Sequence, residues 1–359
     1  MTNTIDLQSI LTRLETIQPL LAELMRVLGI DPTRTTWLPP IAIAIQRGIA
    51  SQTLTRLRPL FAEHAVWEDR AAGSTYGASE LAGRHDHQNW AQAFPDFIDE
   101  ITNVISTEDV LVIEHRATGT HLGPLRMNGQ VYQATRQKIS LQVADVVSFK
   151  NGKVDRINHY HDSAGLLRQL GLMRDIPFGH DEPHPHGAFQ PDAGVPEVPV
   201  TIGASISVGS SGTRRAKENI ATLTAIHESF IDRTPERFHN AIAEDALWID
   251  VPTGQVLNGL EAAMQHDYGN WARAFPDSTA EIVHATANAD WGIVQHIGSG
   301  HHHGELRLGD TVYGPTGRSV EIRVLDVVQF KDGKAVLIRN YYDVGNLLNQ
   351  LGIVDQWSQ

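Results

Sequence analysis

Cysteine is absent from the 359 residues, so disulfides, thiolate catalysis and cysteine-ligated zinc are all excluded. Its absence also leaves the redox compartment unreadable. Positive charge is in deficit: 29 Lys and Arg stand against 42 Asp and Glu, a formal charge of −13. Nucleic acid needs a basic footprint, so it is not an expected partner. Long apolar runs are missing too. The N-terminal stretch carries Asp6, Glu15 and Glu23 inside its apolar pattern. It reads as neither a signal peptide nor a membrane span, so no membrane partner is expected and a cytoplasmic location is. Otherwise the composition, 41% hydrophobic and 20% charged, is that of a soluble globular protein long enough for two cores.

What the chain does have is a repeat. Asp145–Gly171 reads DVVSFKNGKVDRINHYHDSAGLLRQLG, and Asp326–Gly352 reads DVVQFKDGKAVLIRNYYDVGNLLNQLG, 181 residues later and without a gap. That period is too long for a solenoid and marks two copies of a whole domain. Each copy opens with helical pattern, at 41–50 and 54–62 in the first and at 216–231 and 235–243 in the second. A short strand follows, HAVWED (64–69) or DALWID (245–250). A helix then ends in HDHQNWAQAFPD (85–96) or HDYGNWARAFPD (266–277), nine identities in twelve, stopped by Pro95 or Pro276.

Strands of clear alternation come next, with Ile139, Leu141, Val143, Asp145, Val147 and Phe149 on one face. Asn151-Gly152 and Asp332-Gly333 are hairpin turn signals. Helices followed by a run of antiparallel strands imply an α+β domain, a curved sheet wrapped around its helices. The division expected is 1–40 for an extra N-terminal helix and linker, 41–172 for the first domain, 173–214 for a Pro/Gly/His-rich linker, and 215–359 for the second domain. The extra helix, apolar from Leu7 to Leu28 at helical spacing, has no counterpart in the second copy. Its expected role is packing over the first domain or at a subunit contact. Part of the linker is expected to pack on the first domain. Its GHDEPHPHG tract (179–187) offers metal donors, although histidines interrupted by proline seldom converge.

Asp145 is the sharpest chemical signal. An acid among apolar neighbours on an interior face needs either a partner or a raised pKa. Counting by twos along the next strand places His159 and His161 on a common face beside it. Such a pair either moves a proton next to a carbonyl or only satisfies itself and fixes the sheet. His85 and Asn89 are i, i+4 neighbours able to approach one spot, as are His266 and Asn270. Trp67, Trp90 and Phe94 read as cavity wall or core. In GHHHG (300–304), His301 and His303 share a face that His302 does not, so the three do not bind one ion.

The motifs AFPDF, GTHLG (119–123), DVVSFKNGKV and DxxGLLRQLG resemble the SnoaL-like polyketide cyclase family, of the nuclear-transport-factor-2-like and ketosteroid-isomerase-like fold. The second copy carries AFPDS, GHHHG, YGPTGR and DVVQFKDGKA in the same order. The resemblance implies two tandem cone-shaped α+β barrels, each with an apolar pocket. It also implies aldol ring closure of a polyketide ester without metal or cofactor, and pairing as an internal pseudo-dimer or homo-oligomer. The family's essential Asp falls on His159 and its His partner on Asp145, so the two residue types are exchanged. His159 as base, Asp145 as its orienting partner and His121 as carbonyl donor make up the catalytic set that follows. His302 matches His121 at the pocket-side end of a strand. The ligand-contacting set is His85, Asn89, Trp67, Trp90, Phe94, Tyr132 and His161, with His266, His302, Asp326, Asn340 and Tyr342 in the second copy. Because Asn340 stands where the base should be, the second copy is expected to be degenerate or purely binding. A binding module without turnover is the alternative for both.

Overall fold

The computed structural model describes residues 61–71, 74–77, 89–90, 92–107, 110–127, 130–173 and 202–354. The N-terminal helix expected at 5–28, the opening helices of the first copy, His85 and the GHDEPHPHG tract lie outside the described residues. Two compact units form. Unit 1 takes in the described residues up to His159, apart from 70–72, and adds the segment up to Val208. Unit 2 holds residues 70–72, the stretch from Tyr160, and everything from Gly209 onward.

Unit 1 is built on strands β1 (Phe61–Asp69), β2 (Ser74–Gly77), β3 (Ile98–Ser106), β4 (Val110–Thr120), β7 (Lys138–Lys150), β8 (Lys153–Tyr160) and β9 (Ile202–Val208). The sheet order is β2-β1-β8-β7-β4-β3-β9, and a small hairpin of β5 (Leu125–Met127) and β6 (Gln130–Tyr132) stands apart. One feature departs from the expected antiparallel run, and a second is the expected packing of part of the linker on the first domain. β1 pairs with β8 in parallel, Asp69 opposite His159. These strands are not hairpin neighbours, so no turn dictates their relative sense. β9 comes from the expected linker and adds a seventh strand parallel to β3.

Unit 2 repeats the plan with β10 (Ile242–Asp250), β11 (Gln255–Asn258), β12 (Thr279–Ala287), β13 (Trp291–His301), β16 (Ser319–Lys331) and β17 (Lys334–Tyr341). Their order is β11-β10-β17-β16-β13-β12, beside the hairpin of β14 (Leu306–Leu308) and β15 (Thr311–Tyr313). The first copy's closing helix, α1 (Ser163–Gln169), belongs to this unit. α2 (Arg214–Asp232), α3 (Pro235–Ala241) and α4 (Leu260–Met264) follow. A π-helical turn (Gln265–Trp271) runs into α5 (Ala272–Ala274), and α6 (Val344–Gln350) ends the series. Leu223 and Ile226 of α2, Phe238 of α3 and Leu260 of α4 bury against Val294, Val328 and Ile338 of the sheet. The helices therefore lie in the sheet's concave side, the α+β arrangement expected.

Local signals act as their chemistry requires. Asn151 and Gly152 take φ of 53° and 73°, and Asp332 and Gly333 take 52° and 79°. Positive φ at both central residues is what a tight β7–β8 or β16–β17 hairpin demands. Asp162 caps α1 through Ala164 and Gly165 N–H, and Asp343 caps α6 through Gly345 N–H. Each also accepts a backbone amide from the other helix, Val344 N–H to Asp162 at 3.0 Å and Ser163 N–H to Asp343 at 3.0 Å. Among the described residues no helix is long and apolar enough to cross a membrane.

Gly123 and Gly304 hold the strand-to-hairpin corner against the helix that precedes Phe94 or Phe275. A Cβ on Gly304 would stand 2.1 Å from the Arg273 carbonyl oxygen, and one on Gly123 would stand 1.9 Å from that of Gln92. Neither backbone carbonyl can swing away as a side chain would. Gly304→Ala is therefore expected to lower stability by about 1–3 kcal/mol, read as a lower urea midpoint; an unchanged midpoint would show that the corner is slack.

Candidate functional site

A row of polar groups crosses the buried face of the first sheet. Ile113 lies opposite Asp145, His115 opposite Val143 and Ile101 opposite His115. That register sets Asp99, His115 and Asp145 diagonally on one face, the distance over which long side chains reach. His159 follows from β8. His115 bonds Asp99 through Nδ1 at 2.6 Å and Asp145 through Nε2 at 3.2 Å. His159 Nδ1 meets the other Asp145 oxygen at 2.7 Å. Asp145 is wholly buried, so the acid that the sequence sets among apolar residues has two imidazole partners. His159 was the expected one.

Charge settles accordingly. Burial opposes ionisation of Asp145, but His159 and His115 outweigh it and hold the carboxyl well below its usual range. Burial likewise disfavours a charged His115, yet Asp99 and Asp145 push its pKa up to about 10. For His159, burial is again overcome, by Asp145 and then Asp69, and the pKa is raised. Trp67 lies 5.7 Å from the His159 ring, centroid to centroid. His161, buried, follows the end of the strand at Tyr160.

The second copy keeps the acid and changes its partners. Asp326 lies directly opposite Asn340, which donates its amide to Asp326 Oδ1. His296 stands at the position of His115, and its Nε2 is 3.4 Å from Asp326 Oδ2. The second imidazole comes from α2: His227 Nε2 is 3.0 Å from the same oxygen, and its Nδ1–H donates to the Leu223 carbonyl at 3.0 Å. Burial resists the charge on Asp326, but the hydrogen bonds of His227 and His296 keep it well below the usual carboxylate range.

These groups line a cavity of about 120 Å³ in unit 2. A single water needs only about 10–15 Å³ by that measure, so the space suits a small molecule. Trp248, Trp271, Phe275, Val320, Ile322 and Val324 form apolar walls, and His266, Asp267, Asn340 and Tyr342 add polar atoms. Burial and then the Asp326 charge push Asp267 up to about 8, and burial lowers His266 to about 4. At neutral pH the cavity therefore holds a protonated carboxyl and a neutral imidazole. The Tyr342 hydroxyl donates to Asp250, whose pKa burial raises to about 6. His266 and Asp267 sit in the π-helical turn, a distortion that re-aims side chains at such sites.

Several expected contacts have other work. His121 and His302 are fully buried, and each accepts a loop amide at Nδ1, from Thr135 at 3.2 Å and Thr316 at 3.3 Å. Their rings pack 5.4 and 5.3 Å from Phe94 and Phe275. They pin the loop after the strand, and His302 is not among the residues lining that cavity. Asn89 makes a two-way bond with the Arg126 backbone at 2.5 and 2.6 Å, and Asn270 makes the same bond with Arg307 at 2.8 and 2.7 Å. Both amides clip the small hairpin. Trp90 stacks on Phe94 at 5.1 Å, and Tyr132 is half-buried in β6. Trp67, Trp90, Phe94 and His161 match Trp248, Trp271, Phe275 and Tyr342 of the cavity wall. Asp99, His115, His227, His296 and Asp267 escaped the sequence reading. The His115–His296 match, at the repeat's own 181-residue spacing, was the signal available for two of them.

The SnoaL-like polyketide cyclase family model matches residues 42–170 and 221–351. Among solved structures, a Jannaschia sp. CCS1 protein proposed to be a SnoaL-like polyketide cyclase is 17% identical over 40% of this chain and 97% of its own, with a TM-score of 0.36. IdmH from Streptomyces antibioticus, also proposed to be a polyketide cyclase, is 23% identical over 37% and 98%, with a TM-score of 0.32. An M. tuberculosis LEH-like epoxide hydrolase is 16% identical over 38% and 92%, with a TM-score of 0.28. No curated protein matched the chain.

The His115 shift makes stability depend on pH. A raised folded-state pKa gives stability that is complete below about 6.5 and is lost as pH rises toward about 10. The melting temperature should fall across that window in the wild type and much less in His115→Gln. The gap between them should narrow by about 2–4 °C for each kcal/mol of linkage; parallel profiles would mean that His115 folds uncharged. With its motifs in order in both copies and its family match spanning more than half of the sequence, the chain belongs to the SnoaL-like polyketide cyclase family, as two tandem members.

Proposed function

We propose that the first copy is a cofactor-independent proton-transfer site for a small, largely apolar carbonyl compound, and that the second copy binds such a compound in its cavity. Cyclisation or isomerisation is the reaction class. One observation carries the reading: Asp145 is wholly buried and hydrogen-bonded to His159 at the sheet position where, in the second copy, Asp326 faces the cavity.

With Nδ1 tied to Asp145, His159 has Nε2 as its proton-accepting atom. A proton leaves the carbon beside the substrate carbonyl for Nε2, giving an enolate and an imidazolium that Asp145 stabilises. The imidazolium then returns the proton at another carbon, or the enolate carbon attacks a second carbonyl of the same molecule and the new alkoxide takes that proton. The raised pKa makes His159 a stronger base that works through its deprotonated fraction. In the second copy Asn340 replaces the base, since an amide takes no proton near neutral pH. Its apolar walls therefore favour binding over this proton transfer.

The test is hydrogen–deuterium exchange at the carbon next to the carbonyl of 2-tetralone, followed by NMR in deuterated buffer. The full chain should accelerate exchange above buffer, and His159→Gln should lose about 10²–10⁴-fold of that acceleration. The rate should rise with pH through an inflection above 6.5, which Asp145→Asn should move downward. Exchange by His159→Gln at the wild-type rate, or none by the wild type, would sink the reading.

A further inference from the structure

We propose that His227, His296 and Asp326 form a site for one divalent transition-metal ion in the wall of the second copy's cavity. The site goes beyond the function above, which puts proton transfer in the first copy, gives the second copy binding alone and calls for no metal.

The geometry is that of donors around an ion. His227 Nε2 and His296 Nε2 stand 3.0 and 3.4 Å from Asp326 Oδ2, and all three atoms lie within 4.8 Å of one another. A zinc-sized ion holds nitrogen and oxygen donors at about 2.0–2.1 Å, so its ligand atoms stand about 2.9 Å apart at right angles and about 3.4 Å apart at the tetrahedral angle. The observed spacings fall at these two values. Imidazole protons bridge these atoms when no ion is bound, and a divalent ion would take their place.

The surroundings orient the donors as metal sites do. The His227 Nδ1–H bond to the Leu223 carbonyl fixes the tautomer and leaves the Nε2 lone pair toward Asp326. The Asn340 amide occupies Asp326 Oδ1 and leaves Oδ2 for the ion. His227, His296 and Asp326 all line the cavity, so the ion's remaining positions open onto it. An oxygen donor of the cavity's occupant, carbonyl or hydroxyl, would complete the coordination.

Comparison of the copies shows which changes create the site. In the first, His115 bridges two carboxylates and His159 takes the far oxygen of Asp145, so the imidazoles bond opposite oxygens. In the second, Ala280 replaces Asp99, and His296 has no second carboxylate to bond. Asn340 replaces His159, and the second imidazole arrives from α2 on the same oxygen as the first. A proton relay becomes a three-donor cup. Two imidazoles with one carboxylate suit the zinc and iron class of ions.

The experiment uses the full chain carrying His180→Ala, His184→Ala and His186→Ala, which removes the imidazole donors of the GHDEPHPHG tract. Zn²⁺ is titrated against a chromophoric chelator and by calorimetry, and Co²⁺ is read from its visible spectrum. One equivalent should bind with micromolar or tighter affinity. Asn340→Ala should weaken it by about 10–100-fold, and His227→Ala and His296→Ala should weaken it further. His115→Gln should leave it unchanged. If a ligand variant does not fold, two readouts on the parent chain still decide: a Zn²⁺-dependent rise in melting temperature and cobalt-shifted imidazole proton resonances. No bound equivalent, or one unaffected in folded His227→Ala and His296→Ala, would overturn the site and leave a cluster that holds only protons. Exchange of 2-tetralone by the first copy is read separately, so either proposal can fail without the other.

Discussion

A carboxylate on the buried face of a sheet is the constraint from which the rest follows. Left unpaired, it would be neutralised or would destabilise the fold. Asp145 and Asp326 avoid both outcomes by collecting imidazoles and, in the second copy, an amide. The strands on either side must then hold register closely enough to keep these groups within hydrogen-bond reach. One slip would turn the whole row to the other face. The 13-residue strands β7 and β16, tied at both ends by a tight turn and a long ladder, supply that rigidity.

The two copies answer the same demand differently, and the difference has chemical content. In the first, acids and imidazoles alternate along the row from Asp99 through His115 and Asp145 to His159. In the second, the row is cut at both ends by Ala280 and Asn340, and a helix supplies the missing ring. The second copy was expected to be degenerate or purely binding. Its described residues line a cavity, with Asp267 kept neutral beside an ionised Asp326. With Asn340 in its wall, the cavity still holds the titratable groups His266, Asp267 and Asp326.

Conserved look between the copies also proved a poor guide to chemistry where the residue served the fold. His121 and His302, with Asn89 and Asn270, sit in the most recognisable motifs and would be natural ligand contacts. All four bond backbone within the corner and small hairpin beside the sheet. Repetition preserves a side chain as firmly for closing a loop as for touching a substrate, and the sequence does not tell these apart.

Much of the site was nonetheless legible. Alternation in 139–149, the Asn-Gly and Asp-Gly turns, the prolines after Phe94 and Phe275, and the capping Asp162 and Asp343 act over a few residues, so their outcomes are written locally. The same holds for the pairing of Asp145 with His159, because a two-residue turn fixes which residues face each other. Tertiary structure alone decided the remainder. His227 meets Asp326 across 99 residues, and β9 joins the sheet beside β3 from a stretch that looked like linker. Sheet curvature, diagonal offset and the approach of a helix set those meetings. They depend on how distant segments pack, which no local pattern records.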